Sequence, residues 1–246
     1  MASSRFPGKP LAPLLGMPLV LHVWHRCRLY RAFERIVIAT CDEEIRAAGE
    51  AAGAEVVMTA DSHERATDRT EEAIANMRLG LAGDDLVVMV QGDEALMSPE
   101  LASDIVAAYE RDRPPVVNLA SRLYRREDMD DPNTVKVVAD RDCRVLYFSR
   151  SAIPSSARKP DVATYQQTGI MAFSADFLGR FSRLAPTPLE IAESVDMLRV
   201  IEHGYTVCLI RTETETIGVD TEADRARAEA ILKTDPQTAR YMGVHP

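Results

Sequence analysis

Cysteine is scarce in this chain, and what there is does not pair. The four cysteines, Cys27, Cys41, Cys143 and Cys208, are widely scattered. None forms a Cys-x-x-Cys pair, so zinc and dithiol redox motifs have no support. Thiols used this way fit a reducing cytoplasmic setting. Long hydrophobic runs are absent as well. No stretch approaches the roughly 20 apolar residues of a membrane span, and the N-terminus lacks the charged-then-apolar pattern of a secretion signal. Positive charge is in deficit: 29 Lys and Arg stand against 38 Asp and Glu, for a net charge of -9. Nothing neutralises phosphates in bulk, which argues against a nonspecific nucleic-acid or anionic-membrane binder. A local basic pocket for one small anion remains compatible with that balance. No Gly-x-Gly-x-x-Gly follows a strand and no Gly-x-x-x-x-Gly-Lys-Ser/Thr occurs, which disfavours a Rossmann dehydrogenase and a Walker NTPase.

What is present fits one α/β domain. The 246 residues are 46% hydrophobic and 27% charged, enough for a packed core. Helical spacing runs from Met17 to Tyr30. Arg35–Thr40 is an apolar strand, a helix led by Asp42-Glu43-Glu44 ends near Gly53, and Glu55–Thr59 is a second strand. This β-α-β alternation predicts a parallel sheet. Thr67 or Asp68 is placed to cap a helix to about Leu79; Val87–Val90 and Val116–Ala120 read as strands around a helix at Ser98–Arg111. The second half changes character. Thr134–Val138, Val145–Phe148 and Gly169–Phe173 are short strands with no long helix between the first two, which predicts an antiparallel patch. Helices follow at Ser174–Leu184 and Pro188–His203, then a strand at Val207–Arg211 and a turn into a last helix at Gly218–Thr221. There is no internal repeat and no domain linker, so residues 1–246 are expected to form one domain. About 130–200 would be a subregion for acceptor and dimer contacts.

Val87-Val88-Met89-Val90-Gln91-Gly92-Asp93-Glu94 organises the rest. A buried strand ends in a glycine and two carboxylates, and in open α/β sheets ligands bind beyond the carboxyl ends of the strands. Asp93 and Glu94 therefore stand where a divalent cation or substrate would sit; a solvated turn has the same composition. Ser3-Ser4-Arg5-Phe6-Pro7-Gly8-Lys9 is small, flexible and basic, suited to surrounding a triphosphate or to a solvated terminus. His22 and His25 share a helical face without a third metal ligand nearby, and read as ordinary helix histidines. Arg69 lies near a helix start, where the dipole disfavours it; an anion or base partner would explain it, and solvent is the plain alternative. Glu190, Glu193 and Asp196, three apart, read as an acidic helix face. Asp220 or Thr221 reads as a helix cap.

Four segments, in order and spread over nearly the whole chain, carry a family resemblance. They are Ser3–Leu11; Val90-Gln91-Gly92-Asp93-Glu94; Asn133-Thr134-Val135-Lys136-Val137-Val138 with Leu146-Tyr147-Phe148-Ser149-Arg150; and Gly218-Val219-Asp220-Thr221. Together they resemble the 3-deoxy-manno-octulosonate cytidylyltransferase (CMP-KDO synthetase) family. The resemblance implies a Rossmann-like, mostly parallel nucleotidyltransferase sheet flanked by helices, with a small antiparallel extension in the second half. It implies CMP transfer from CTP to an acidic sugar, with release of pyrophosphate, by a cytoplasmic homodimer. Such a reaction gathers anions and needs charge stabilised as it develops. By resemblance Asp93 and Asp220 would hold Mg2+, with Asp93, Lys9 and Arg5 catalytic. Ser3, Gly8, Arg69 and Gln91 would bind CTP. No general base stands out.

Two departures qualify the match. The family begins with a hydrophobic strand near the middle of the sheet, ending in an arginine that helps hold the nucleotide; this chain starts inside that motif, so the first strand is missing from it. The expectation is that roughly ten further residues precede Met1 in the natural protein. On the acceptor side an Arg-His pair is replaced by Gln166 and Gln167, while Glu190 and Glu193 fit the pattern; these four are the acceptor candidates. Arg65 and Ala66 also replace a small Ser-Gly pair in the cytosine-side loop. CTP and magnesium are thus better supported than octulosonate. CMP transfer to a small phosphonate such as phosphonoformate is an alternative, as is a non-catalytic nucleotide-binding homologue.

Overall fold

The structure, a computed structural model, describes residues 8–159 and 161–243. They fall into two compact units, each assembled from non-contiguous segments. Unit 1 takes residues up to Leu79, Val90–Ser103 and the chain from Thr216 on; unit 2 takes Gly80–Met89 and Asp104–Glu215.

Unit 1 opens with a one-turn 3-10 helix at Lys9–Leu11 and a tight hairpin, β1 (Pro13–Leu14) against β2 (Met17–Pro18). Helix α1 (Leu19–Leu29) follows and is buried on most sides, His22 and Arg26 included. Strand β3 (Val37–Thr40), helix α2 (Glu43–Ala51) and strand β4 (Glu55–Met58) form the predicted β-α-β unit, with β3 parallel to β4. Its helix sits so close to β4 that a Cβ on Gly49 would meet Val56 at 2.8 Å, so no larger residue fits without movement. Helix α3 (Ala66–Met77) starts after Arg65, in extended backbone at the cap position. Thr67 and Asp68 therefore lie inside the helix rather than capping it.

Strand β5 (Leu86–Val90) leads out of unit 2 into the 91–98 turn, and α4 (Pro99–Asp112) begins there, with Ser98 Oγ accepting from the Leu101 N–H at 3.3 Å. The six strands of the main sheet run in the order β10-β6-β9-β7-β8, with β5 also paired to β9. Here β6 is Val116–Arg122, β7 Lys136–Ala139, β8 Val145–Ser149, β9 Tyr165–Ser174 and β10 Val207–Thr212. Helix α5 (Arg126–Asp130) lies between β6 and β7 in the chain. Strand β6 is buried on both faces from Val116 to Ser121, as a near-continuous apolar run should be. It runs parallel to β10 and antiparallel to β9. The α/β class and its antiparallel second-half portion are as expected, and β9 carries the antiparallel pairing into the sheet interior.

A bulge interrupts β6–β9 between Asn118 and Ala120. Such an irregularity leaves ladder groups unpaired, and the fully buried Asn118 amide answers them, donating to Leu119 O (3.0 Å), Thr168 O (3.3 Å) and Ile170 O (3.3 Å).

Helix α6 (Ala175–Phe181) is shorter than the Ser174–Leu184 expected, and Ser174 is its cap, accepting from the Phe177 N–H. The single helix expected over Pro188–His203 is two: α7 (Pro188–Glu193) and α8 (Met197–Glu202). Ser194 adopts left-handed backbone (φ 53°) and ends α7. The break brings Arg199 of α8 back onto Glu190 of α7 at 2.5 Å, with both side chains buried. Returning to unit 1, α9 (Glu222–Leu232) has Thr221 as cap, in a reciprocal capping box with Asp224. A further helix, α10 (Pro236–Met242), had no counterpart in the sequence reading. None of the described helices is long and apolar enough to cross a membrane.

Candidate active site

Three side chains far apart in sequence meet in unit 1. Gly8 takes left-handed backbone (φ 72°) and opens the Lys9–Leu11 turn, closed by Leu11 N–H to Gly8 O at 2.9 Å. Glycine carries that conformation without a Cβ penalty. The turn presents Lys9, whose Nζ lies 2.5 Å from Asp93 Oδ2 and 3.0 Å from Asp220 Oδ1.

The two carboxylates converge because their turns are pinned to each other. Glu94 and Gly218 form an antiparallel bridge, and Asp93 O accepts from the Val219 N–H at 3.1 Å. Beneath them Leu14, Leu19, Ala95, Leu96, Ile217 and Val219 form one buried cluster. Val219, in that cluster, adjoins Asp220, and Ala95 lies two residues after Asp93, so the packing anchors both turns. Asp220 sits just before the Thr221 cap, so the start of α9 also holds it.

Burial of Lys9 works against its charge, but Asp93 and then Asp220 outweigh it, and the ammonium pKa lies above the ordinary lysine value. The carboxylates thus converge on a single cationic centre. Among the described residues no group of three or more His, Cys, Asp or Glu could hold a metal ion. A cation at this position would have two carboxylate ligands and would complete its shell with phosphate oxygens and water. Magnesium is usually held in that way, and the hard oxygen donors fit it.

The remaining nucleotide candidates divide. Ser3 and Arg5 lie outside the described residues. Gln91 heads the Asp93 turn, with its carbonyl accepting from the Glu94 N–H at 3.1 Å. Arg69, in the first turns of α3, donates to Thr59 Oγ1 (2.5 Å), Ala60 O (3.1 Å) and His63 O (3.4 Å). These bonds tie it to the segment after β4 and give it acceptors despite the unfavourable end of the helix dipole.

The acceptor candidates belong to unit 2. Gln167 donates its amide to Asn118 Oδ1 at 2.8 Å, and its neighbour Gln166 pairs in register with Lys136. Glu190, at 2% exposure, binds Arg199 with both carboxylate oxygens at 2.8 and 2.5 Å. Glu193 accepts from Ser149 Oγ (2.8 Å), the Arg150 N–H (2.8 Å) and Tyr147 Oη (3.3 Å). Burial alone would raise its pKa, but the Arg150 N–H and the two hydroxyls take it below the ordinary glutamate value. Glu190, Glu193 and Asp196 do not form one acidic face: Glu190 turns to Arg199, Glu193 to Ser149 and the Arg150 N–H, and Asp196 lies beyond the end of α7.

Lys136 had no role in the sequence reading beyond its motif. It is fully buried, and its ammonium donates to Asp131 O (2.8 Å), Thr134 O (2.6 Å) and Arg150 O (2.6 Å). Burial depresses its pKa. It ties the Asn133–Val138 and Leu146–Arg150 motifs into one bracket. Three carbonyls meeting one amine leave no mark in a linear sequence.

Comparison with known proteins shows the family. Residues 1–216 match the cytidylyltransferase family model, and the chain belongs to that family of enzymes. It is 39% identical over 235 residues, 91% of each chain, to a 3-deoxy-manno-octulosonate cytidylyltransferase of Geobacter metallireducens. It is 39% identical over 236 residues, 95% of each chain, to an 8-amino-3,8-dideoxy-manno-octulosonate cytidylyltransferase of Shewanella loihica. A solved CMP:2-keto-3-deoxy-manno-octonic acid synthetase complexed with CTP superposes with a TM-score of 0.84 at 31% identity, covering 94% of each chain.

Proposed function

We propose that this protein transfers the cytidylyl group of CTP to a sugar acid of the 2-keto-3-deoxy-octulosonate type. The acceptor's anomeric oxygen bonds to the α-phosphorus, the bond to the α–β bridging oxygen breaks, pyrophosphate leaves, and the hydroxyl proton passes to water. The observation that carries the reading is Lys9 held between Asp93 and Asp220 at 2.5 and 3.0 Å. A triphosphate supplies the anion that Lys9 and the backbone around Gly8 are built to meet. Arg5 and Ser3 are assigned to the same triphosphate, and Arg69 and Gln91 to the cytosine and ribose. Asp93 and Asp220 would hold magnesium, which when bound neutralises charge on the phosphates. With a triphosphate bound, Lys9 would be placed to donate to its phosphate oxygens.

Names of the relatives support an octulosonate acceptor and leave two candidates, differing in the substituent at C8. We assign Gln166 and Gln167 to the acceptor. The Asn118 amide faces three carbonyls, so its Oδ1 must accept from Gln167. That directs the Gln167 amide nitrogen inward and turns its Oε1 away, as an acceptor for a substrate hydroxyl or ammonium. The homodimer is part of the same reading. Edge strand β8 and the α7 helix bound to it through Glu193 expose Leu146 (60%), Ile191 (67%) and Leu189 (40%), apolar surface suited to a second copy.

Pyrophosphate release with CTP and Mg2+ tests the proposal, with octulosonate, its 8-amino analogue and phosphonoformate as acceptors. Turnover with either sugar acid supports it. Turnover with the phosphonate alone transfers the reading to small phosphonates, and no turnover with any acceptor sinks it.

A further inference from the structure

We infer that the C-terminal helix α10 is a positioning element for the Lys9 loop and the Asp93 turn, acting through His22 and Arg26 of α1. All of these residues belong to unit 1. His22 and Arg26 are four apart, one above the other on a helix face, and each reaches in two directions.

His22 is fully buried. Its Nε2 lies 2.8 Å from Leu14 O and its Nδ1 2.8 Å from Tyr241 Oη. A carbonyl only accepts, so Nε2 carries the proton, and Nδ1 of the neutral ring accepts from the Tyr241 hydroxyl. Arg26 is 3% exposed. Its Nε donates to Met97 O, while its Nη1 donates to Asp235 Oδ2 (2.5 Å) and Thr238 Oγ1 (3.3 Å). Between them His25 stacks on Tyr241, with ring centres 5.2 Å apart and planes within 6°.

One end of each side chain holds a backbone carbonyl close to an active residue. Leu14 lies in the hairpin that follows Lys9 and belongs to the cluster under Asp93 and Asp220. Met97 ends the turn that begins with Asp93 and is fully buried. The other end of each side chain is held by α10 or its cap, Asp235, which also accepts from the Gln237 N–H at 3.1 Å. Simple apolar packing would seat a helix here without buried polar groups. This seat instead uses a histidine and an arginine to pass the position of α10 to two loop carbonyls. The family match ends at residue 216, short of α10. His22 and His25, which share a helical face by their spacing, thus both meet Tyr241.

The inference rests on Lys9, Asp93 and Asp220 as the CTP and metal site, so the test reads binding directly on the full chain. Kd for CTP with Mg2+ is measured by calorimetry, and Kd for Mn2+ by electron paramagnetic resonance, at a temperature where each variant is folded. Tyr241→Phe keeps the ring stack and loses only the hydroxyl; it is expected to weaken CTP binding about fivefold, the factor for one net hydrogen bond. Asp235→Asn is expected to weaken Mn2+ binding several-fold, and Thr238→Val to do so to a smaller degree, which serves if Asp235→Asn does not fold. Lower melting temperatures with both affinities unchanged would mean α10 merely stabilises the fold, and would overturn the inference. A wild-type protein that binds neither CTP nor Mn2+ overturns the site reading itself, and the inference with it.

Discussion

Lys9 Nζ lies 2.5 Å from Asp93 Oδ2, across 84 residues of sequence, and it occupies the carboxylates that the proposed function assigns to a divalent cation. On that proposal lysine and cation would compete for the same carboxylates. Lys9→Gln removes the competing charge. Mn2+ titration of the nucleotide-free variant should show tighter binding than wild type, while KM for CTP rises at least tenfold as the triphosphate loses a charged donor. Equal Mn2+ affinity in the two proteins would count against a shared position.

Asp93→Asn and Asp220→Asn each remove one converging carboxylate while keeping its size. Turnover should fall by about two to three orders of magnitude, the usual cost of losing a group that stabilises developing charge. Circular-dichroism melts should change little, because the backbone bridge Glu94–Gly218 and the Val219–Asp93 bond do not use these side chains. Near-normal activity in either variant would refute its assignment.

Burial lowers the His22 pKa, and burial followed by Arg28 lowers that of His25. Unfolded histidine takes up a proton near pH 6.5. Between that value and the lower native pKa the unfolded chain binds more protons, so stability rises with pH there. It is fully present above about pH 6.5 and declines on acidification. Urea midpoints at pH 7.5 and 5.5 should show the loss, and His22→Gln should flatten it.

The buried Glu190–Arg199 pair joins α7 to α8. Arg199→Met leaves a buried carboxylate without its cation, which costs about 3–5 kcal/mol. The double variant Glu190→Leu/Arg199→Met should recover much of that loss. Urea unfolding measures both, and a single variant as stable as wild type would show the pair to be incidental.

Ile191→Glu places a charge on the apolar patch of α7 and β8. Analytical ultracentrifugation should show the wild type as a dimer and the variant shifted to monomer. A wild type that sediments as a monomer at micromolar concentration would dispose of the homodimer.

Local chemistry written along the chain was legible before any fold was known. The β3–α2–β4 alternation, the strand into Gln91-Gly92-Asp93-Glu94 and the Asp220-Thr221 helix start each depend on a few adjacent residues, whereas the Gly8-Lys9 loop draws meaning only from the family resemblance. Such signals survive in a linear sequence because backbone preference and hydrophobic period act over short range. Tertiary structure decided the rest. It split the helix expected at Pro188–His203, because a left-handed Ser194 lets Arg199 satisfy Glu190. It buried Lys136 against three carbonyls and gave His22 and Arg26 partners from α10, more than 200 residues away. It also closed Asp93 and Asp220 around one ammonium. Buried polar groups must find partners wherever the fold supplies them, and that pairing between distant segments is what a sequence read in order does not display.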